Sequence, residues 1–140
     1  MSSERMLKTK ILKTARTIAV VGLSADPSRP GYTVPAYLQR AGYRIIPVNP
    51  NLKISLGEKA YPDLLSIPHA VDGVVIFRRP EFILPIVRQA IEIGAQFVWM
   101  QLGIKNEEAA ALARDAGLDV VMDACMKVEH QQMQMPGIKD

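Results

Sequence analysis

The chain has 140 residues, the length of one domain, and 49% of them are hydrophobic, enough to bury a sizeable core. Its 17 basic and 14 acidic residues leave a formal charge of +3, dispersed without a Lys/Arg block, which argues against nucleic acid as a partner and leaves charge for a small anion. No apolar run reaches the ~18 residues of a membrane span; the start, "MSSERMLKTK", lacks the apolar segment of a secretion signal, and a single cysteine excludes an internal disulfide, so a cytoplasmic protein is expected.

Glu4 to Thr14 reads as a short helix, because Leu7, Ile11 and Ala15 repeat at i, i+4 and i+8 with lysines on the other faces. Residues 1–16 are therefore expected to pack as a helix on a domain spanning 17–130. Thr17 to Leu23 is a continuous apolar run, the pattern of a strand buried on both faces. After the loop "SADPSRPGYT", Val34, Tyr37, Leu38 and Ala41 mark a helix closed by Gly42, with Pro35 tolerated early in it. Tyr43 to Val48 is a second strand, stopped by Asn49 and Pro50, and a very short edge strand is expected around Lys59 to Tyr61. "DGVVIF" is the next buried strand. Pro80 and Glu81 begin a turn, and Pro85 is read as the first residue of a helix with Ile86, Val87, Ala90 and Ile91 on its buried stripe. "AQFVWMQ" is a strand, Asn106 caps a helix with Glu107 and Glu108 in its first turn, and "LDVVMD" is the last strand. From about Gln131 to Asp140 a frayed, flexible tail is expected.

Strands alternating with helices at this spacing define one doubly wound α/β domain with a parallel sheet between helical layers. In such sheets ligands bind beyond the carboxyl ends of the strands, at the point where strand order reverses. The residues there are Gly22, Ser24, Arg29 and Gly31; then Asn49, Pro50 and Lys53; then Arg78 and Arg79; then Gln101 and Gly103; then Asp123, Cys125 and Lys127. Arg29, Arg78, Arg79, Lys53 and Lys127 thus form an expected positive rim for a phosphate-bearing ligand. Gly22 and Ser24, with the first-turn amides around Tyr32 to Val34, are the candidate diphosphate cradle, and Arg29 its charged arm. The same residues also suit an ordinary strand-to-helix turn. The loop is not G-x-G-x-x-G, and Asn49-Pro50 stands where an NAD site carries Asp or Glu, which counts against NAD. NADP stays open, with Lys53 available to a phosphate, and so does a plain turn at Asn49-Pro50. Of the paired arginines, Arg78 is read as facing a ligand or an internal carboxylate and Arg79 as facing solvent.

In "DACMKVEH", Asp123, Cys125, Lys127 and Glu129 share one side if the segment is extended. The favoured reading is a polar lid or interface segment; a nucleophilic Cys125 beside Lys127 is the alternative. His69 and His130 have no metal-ligand spacing, so no metal site is expected.

"IAVVGLSADPSRPGY", "AGYRIIPVNP", "FRRPE", "WMQLGIKNEEAA" and "AGLDVVMDACMKVEH", in that order, resemble the small stand-alone coenzyme A-binding domain proteins, the YccU-like family. Their fold is similar to the N-terminal domain of the succinyl-coenzyme A synthetase alpha subunit. The resemblance implies a three-layer Rossmann-like sheet of order 3-2-1-4-5-6, with "KAY" as the short third strand. It implies coenzyme A or an acyl-coenzyme A as ligand, its pyrophosphate at Gly22, Leu23 and Ser24 with Arg29 and Tyr32 nearby. The adenosine end would meet Asn49, Pro50, Lys53 and Phe77, beside Arg78, and Gln101 would face the pantetheine arm. Gly31 departs from the small hydroxyl or amide residue usual in the family before the tyrosine. The synthetases' phosphorylated histidine lies in a further domain absent from this sequence, so binding without catalysis is expected. The rival readings are an NADP-dependent or Cys125-based acyl-transfer enzyme and a regulatory protein with a vestigial nucleotide site. A homo-oligomer or a protein partner stays open.

Overall fold

A computed structural model describes residues 3–134. At its centre is a five-stranded, all-parallel sheet of β1 (Thr17–Val21), β2 (Arg44–Val48), β5 (Gly73–Ile76), β6 (Phe97–Met100) and β7 (Asp119–Val121), in the spatial order β2-β1-β5-β6-β7. Both faces are covered. Ala19, Val21, Ile46, Val74, Ile76 and Val98 pack on α3 (Ile83–Glu92) and α4 (Glu107–Asp115). The alternate residues Ile18, Val20, Ile45, Val75 and Trp99 pack on α1 (Ser3–Thr14), α2 (Pro30–Arg40) and α5 (Met126–Gln134). This two-sided burial is why the strands read as unbroken apolar runs.

The doubly wound α/β class stands, and several details change. β3 (Ile54–Ser55) and β4 (Glu58–Lys59) form a separate antiparallel pair. The expected third strand reduces to one parallel bridge between Val48 and Tyr61. Pro62 follows at once and has no amide to extend a ladder. The implied 3-2-1-4-5-6 order is therefore not matched exactly: five parallel strands run β2-β1-β5-β6-β7, and the third-strand position holds only the bridge. The strands are also shorter than their apolar runs, because residues such as Leu23 stay buried after they leave the ladder. Pro85 is third in α3, preceded by a 3-10 turn over Pro80–Phe82.

The largest correction lies after β7. Asp123 adopts a left-handed conformation (φ 56°), which ends the strand direction, and Met126–Gln134 is helical. Asp123, Cys125, Lys127 and Glu129 therefore do not line one side of an extended segment. Glu129 faces Lys8 of α1 at 3.7 Å, and the Lys127 Nζ lies 5.6 Å from the Tyr37 ring centre. The tail read from Gln131 begins inside α5, as far as Gln134; residues 135–140 lie outside those described.

Candidate functional site

The crossovers set the place. From β1 the chain crosses through α2 on one face to β2; from β5 it crosses through α3 and then α4 on the other face to β6 and β7. Strand order reverses between β1 and β5, so the crossovers leaving these strands go to opposite faces and leave a crevice. Two clefts open there. The first, about 480 Å³, is lined by Gly22, Asn49, Pro50, Phe77 and Arg78 together with Pro62–Leu64, Ile86 and Gln89. The second, about 530 Å³, is lined by Gly22, Ser24, Arg29–Gly31, Val34, Phe77–Pro80, Gln101–Ile104 and Cys125. Gly22, Phe77 and Arg78 belong to both, so the clefts adjoin at the switch point.

Gly22 has φ +86°, and a Cβ there would stand 2.5 Å from the Phe77 carbonyl oxygen. Only glycine lets the β1 and β5 loops approach this closely. The amides of the loop can be accounted for in full. Gly22 N donates to Val48 O, Ser24 N to Gly31 O, Asp26 N to the Ser24 hydroxyl, Ser28 N to Asp26 Oδ1 and Arg29 N to Asp26 O. Tyr32 N and Thr33 N both donate to Arg29 O, so the first-turn amides expected to be free are not. Among the described residues, Leu23, Ala25 and Gly31 hold the amides without an acceptor.

Gly31 and Pro35 explain each other. Pro35 has no N–H to give the carbonyl four residues earlier, and that carbonyl, Gly31 O, accepts from Ser24 N at 3.0 Å instead. A Cβ on Gly31 would lie 3.3 Å from both Gly22 O and Ser24 Cβ. A side chain there would ask the loop to give by a few tenths of an ångström. The departure from the family's usual residue is thus a packing feature of this loop.

The other expected residues divide. Leu23 is fully buried and offers only its backbone. Asn49 lines the first cleft, but its side chain is committed: Nδ2 donates to Leu23 O at 2.9 Å and Oδ1 accepts from Asn51 N at 2.8 Å. It makes a turn and also ties the β2 loop to the β1 loop. Tyr32 and Lys53 line neither cleft. Of the expected rim, Arg29, Arg78 and Arg79 gather at the second cleft, whereas Lys53 is exposed elsewhere and Lys127 lies against Tyr37. Arg78 and Arg79 hold their guanidinium carbons 4.7 and 5.5 Å from the Phe82 ring centre. Neither pairs with a carboxylate among the described residues, which leaves both charges for an anion. Arg29 is 73% exposed and 3.6 Å from Asp26, whose carboxyl is held below its usual range by the side-chain and backbone hydrogen bonds of Ser28.

Gln101 is buried and lines the second cleft. Sequence reasoning missed the Pro62–Leu64 and Gln89 wall of the first cleft and the Leu102 and Ile104 wall of the second. The first follows a single bridge with no periodic signal of its own; Gly103, after a buried strand, was the available hint of the second.

Five parallel strands, helices on both faces and clefts at the order reversal define a Rossmann-like, doubly wound α/β domain. The chain belongs to the CoA binding domain family, which matches residues 16–131. It is 42% identical over 121 residues to the protein YneT of Bacillus subtilis (strain 168), covering 86% of this chain and 90% of that one. A solved structure described as a hypothetical protein from Pyrococcus horikoshii OT3 superposes with a TM-score of 0.90 at 37% identity, covering 96% of this chain and 94% of that one. The ADP-forming acetate–CoA ligase II of Archaeoglobus fulgidus is 38% identical over 81 residues, which is 56% of this chain and only 12% of the ligase.

Proposed function

We propose that this chain binds coenzyme A or an acyl-coenzyme A across the two adjoining clefts without catalysing a reaction of it on its own. The observation that carries the reading is the meeting of both clefts at Gly22, Phe77 and Arg78, beside Arg78 and Arg79, which pair with no carboxylate among the described residues. Family membership supplies the ligand class. The adenosine end occupies the first cleft against Pro50 and Phe77. The diphosphate lies over Gly22, within reach of the Leu23 and Gly31 amides and of Arg78 and Arg29. The pantetheine arm runs along the second cleft past Gln101. Tyr32 and Lys53 are left out of these contacts. The divergence of Asp123, Lys127 and Glu129 from Cys125 supports binding without catalysis. Among the described residues no helix is long and apolar enough to cross a membrane, and a cytoplasmic location fits a coenzyme A ligand.

Thermal shift in reducing buffer, with coenzyme A, dephospho-coenzyme A, acetyl-coenzyme A, NAD and NADP, tests the reading. At ~100 times its Kd a ligand stabilises by about 2.7 kcal/mol. The expected result is a shift with coenzyme A forms that Arg78→Ala and Arg29→Ala reduce. A shift with NADP alone, or none with any coenzyme A form, would refute it.

A further inference from the structure

We infer that Cys125 is a redox anchor for the ligand, its thiol exchanging with coenzyme A disulfide to form a reversible mixed disulfide with the coenzyme A half held in the second cleft. The inference rests on the binding reading above and adds a covalent, redox-dependent state to it.

Cys125 is the sole cysteine of the chain, so no internal partner competes for it. It is half-buried and lines the same cleft as Gly22 and Ser24. The turn after β7 carries it there. Asp123 Oδ1 accepts from Gly103 N at 2.7 Å, and Asp123 N donates to Ile104 O at 3.1 Å. Ala124 O accepts from the Trp99 indole at 2.8 Å, and Ala124 N donates to Met100 O at 3.4 Å. These bonds draw residues 123–125 back over the carboxyl end of β6. That strand lies two positions from β1, on the order of 10 Å across the sheet.

A second observation at this cleft points independently to a ligand. Gln101 is 3% exposed, and its Oε1 accepts from Met126 N at 3.3 Å. Its Nε2 has no acceptor among the described residues. A buried amide donor left unpaired is costly, and native structures rarely keep one without a reason. An amide carbonyl of a pantetheine arm supplies the missing acceptor. An arm that passes Gln101 from a diphosphate at Gly22 delivers its terminal sulfur to the Cys125 side of the cleft.

The step is thiol–disulfide exchange and requires no general base from the chain. The Cys125 sulfur, its proton lost to solvent, attacks one sulfur of coenzyme A disulfide. The Cys125–coenzyme A bond forms, the symmetric disulfide bond breaks, and one coenzyme A departs as the thiolate. Cys125 is oxidised and the departing half of the disulfide is reduced; a free thiol reverses the step.

The test incubates the full chain with coenzyme A disulfide and, separately, with the same concentration of glutathione disulfide, and follows intact mass. The expected product is one adduct, of one coenzyme A less two hydrogens, that dithiothreitol removes and Cys125→Ser abolishes. It forms about tenfold or more faster than the glutathione adduct, because a bound disulfide meets the thiol at a raised effective concentration. Gln101→Leu slows the coenzyme A adduct and leaves the glutathione adduct unchanged, which a merely structural glutamine would not do. No adduct, or equal rates for the two disulfides, overturns the anchor. If reduced coenzyme A still shifts the melting temperature, the binding reading survives that failure; if it does not, both fall.

Discussion

Gly22 meets two requirements at once: a backbone in the left-handed region and a Cα set against the Phe77 carbonyl. A methyl group there is strained by its φ and collides with backbone that cannot swing aside. Gly22→Ala is therefore expected to cost on the order of 3 kcal/mol in a urea melt and to abolish the ligand-dependent thermal shift. A stable variant that still shifts would mean the two loops need not touch. Arg78, half-buried, and Arg79, exposed as expected, both hold their guanidinium groups over the Phe82 ring. The sequence showed the pair of charges. It did not show the ring, because Phe82 is brought over the arginines by the 3-10 turn Pro80–Phe82 that it closes.

Among the elements, α5 is a helix the sequence did not show. Its apolar residues are few, and its docking rests on specific contacts. The Tyr37 hydroxyl and His130 Nδ1 are 2.7 Å apart, and the rings of Tyr37 and Tyr43 meet the His130 ring edge-on. Tyr43 in turn donates its hydroxyl hydrogen bond to Leu12 O of α1, and burial pushes its own ionisation up to about 12. Burial also depresses the His130 imidazolium below its ordinary value of 6.5. The unfolded chain then binds the proton first as pH falls, so stability is complete above about 6.5 and declines below it, toward the lower folded value. Melting temperature measured from about pH 8 to 5 is expected to drop more steeply for the native chain than for His130→Asn. Parallel curves would show that the imidazole does not titrate against folding. α2, by contrast, was legible from the spacing of Val34, Tyr37, Leu38 and Ala41, although it starts at Pro30, ahead of the first turn read around Pro35, and the use of Pro35 to free the Gly31 carbonyl for Ser24 depends on a loop that folds back.

For the molecule as a whole, function depends on loops that are far apart in sequence meeting at one sheet edge. Asn49 is the tie between the β2 and β1 loops, and it also lines the first cleft. Asn49→Ala leaves the buried Leu23 carbonyl without its partner. It is expected to lower stability by about 1–2 kcal/mol with an unchanged m-value, and to weaken coenzyme A binding. A reduced m-value would indicate that the sheet edge itself had opened, and full stability would remove Asn49 from this role.

The residue pattern alone determined the alternation of strands and helices, the burial of the sheet on both faces and the edge at which glycines and arginines collect. Each of these follows from local periodicity and from the rule that parallel strands need crossovers. Tertiary structure decided the rest. It reduced the third strand to a bridge, turned "DACMKVEH" into a turn and a helix, left Lys53 outside the lining of either cleft, set Lys127 against Tyr37, and gave the Ser24, Tyr32 and Thr33 amides acceptors within the chain. The physical reason is common to all of them. Whether an amide, a charge or a thiol is free depends on which partner, dozens of residues away, the fold has already placed beside it.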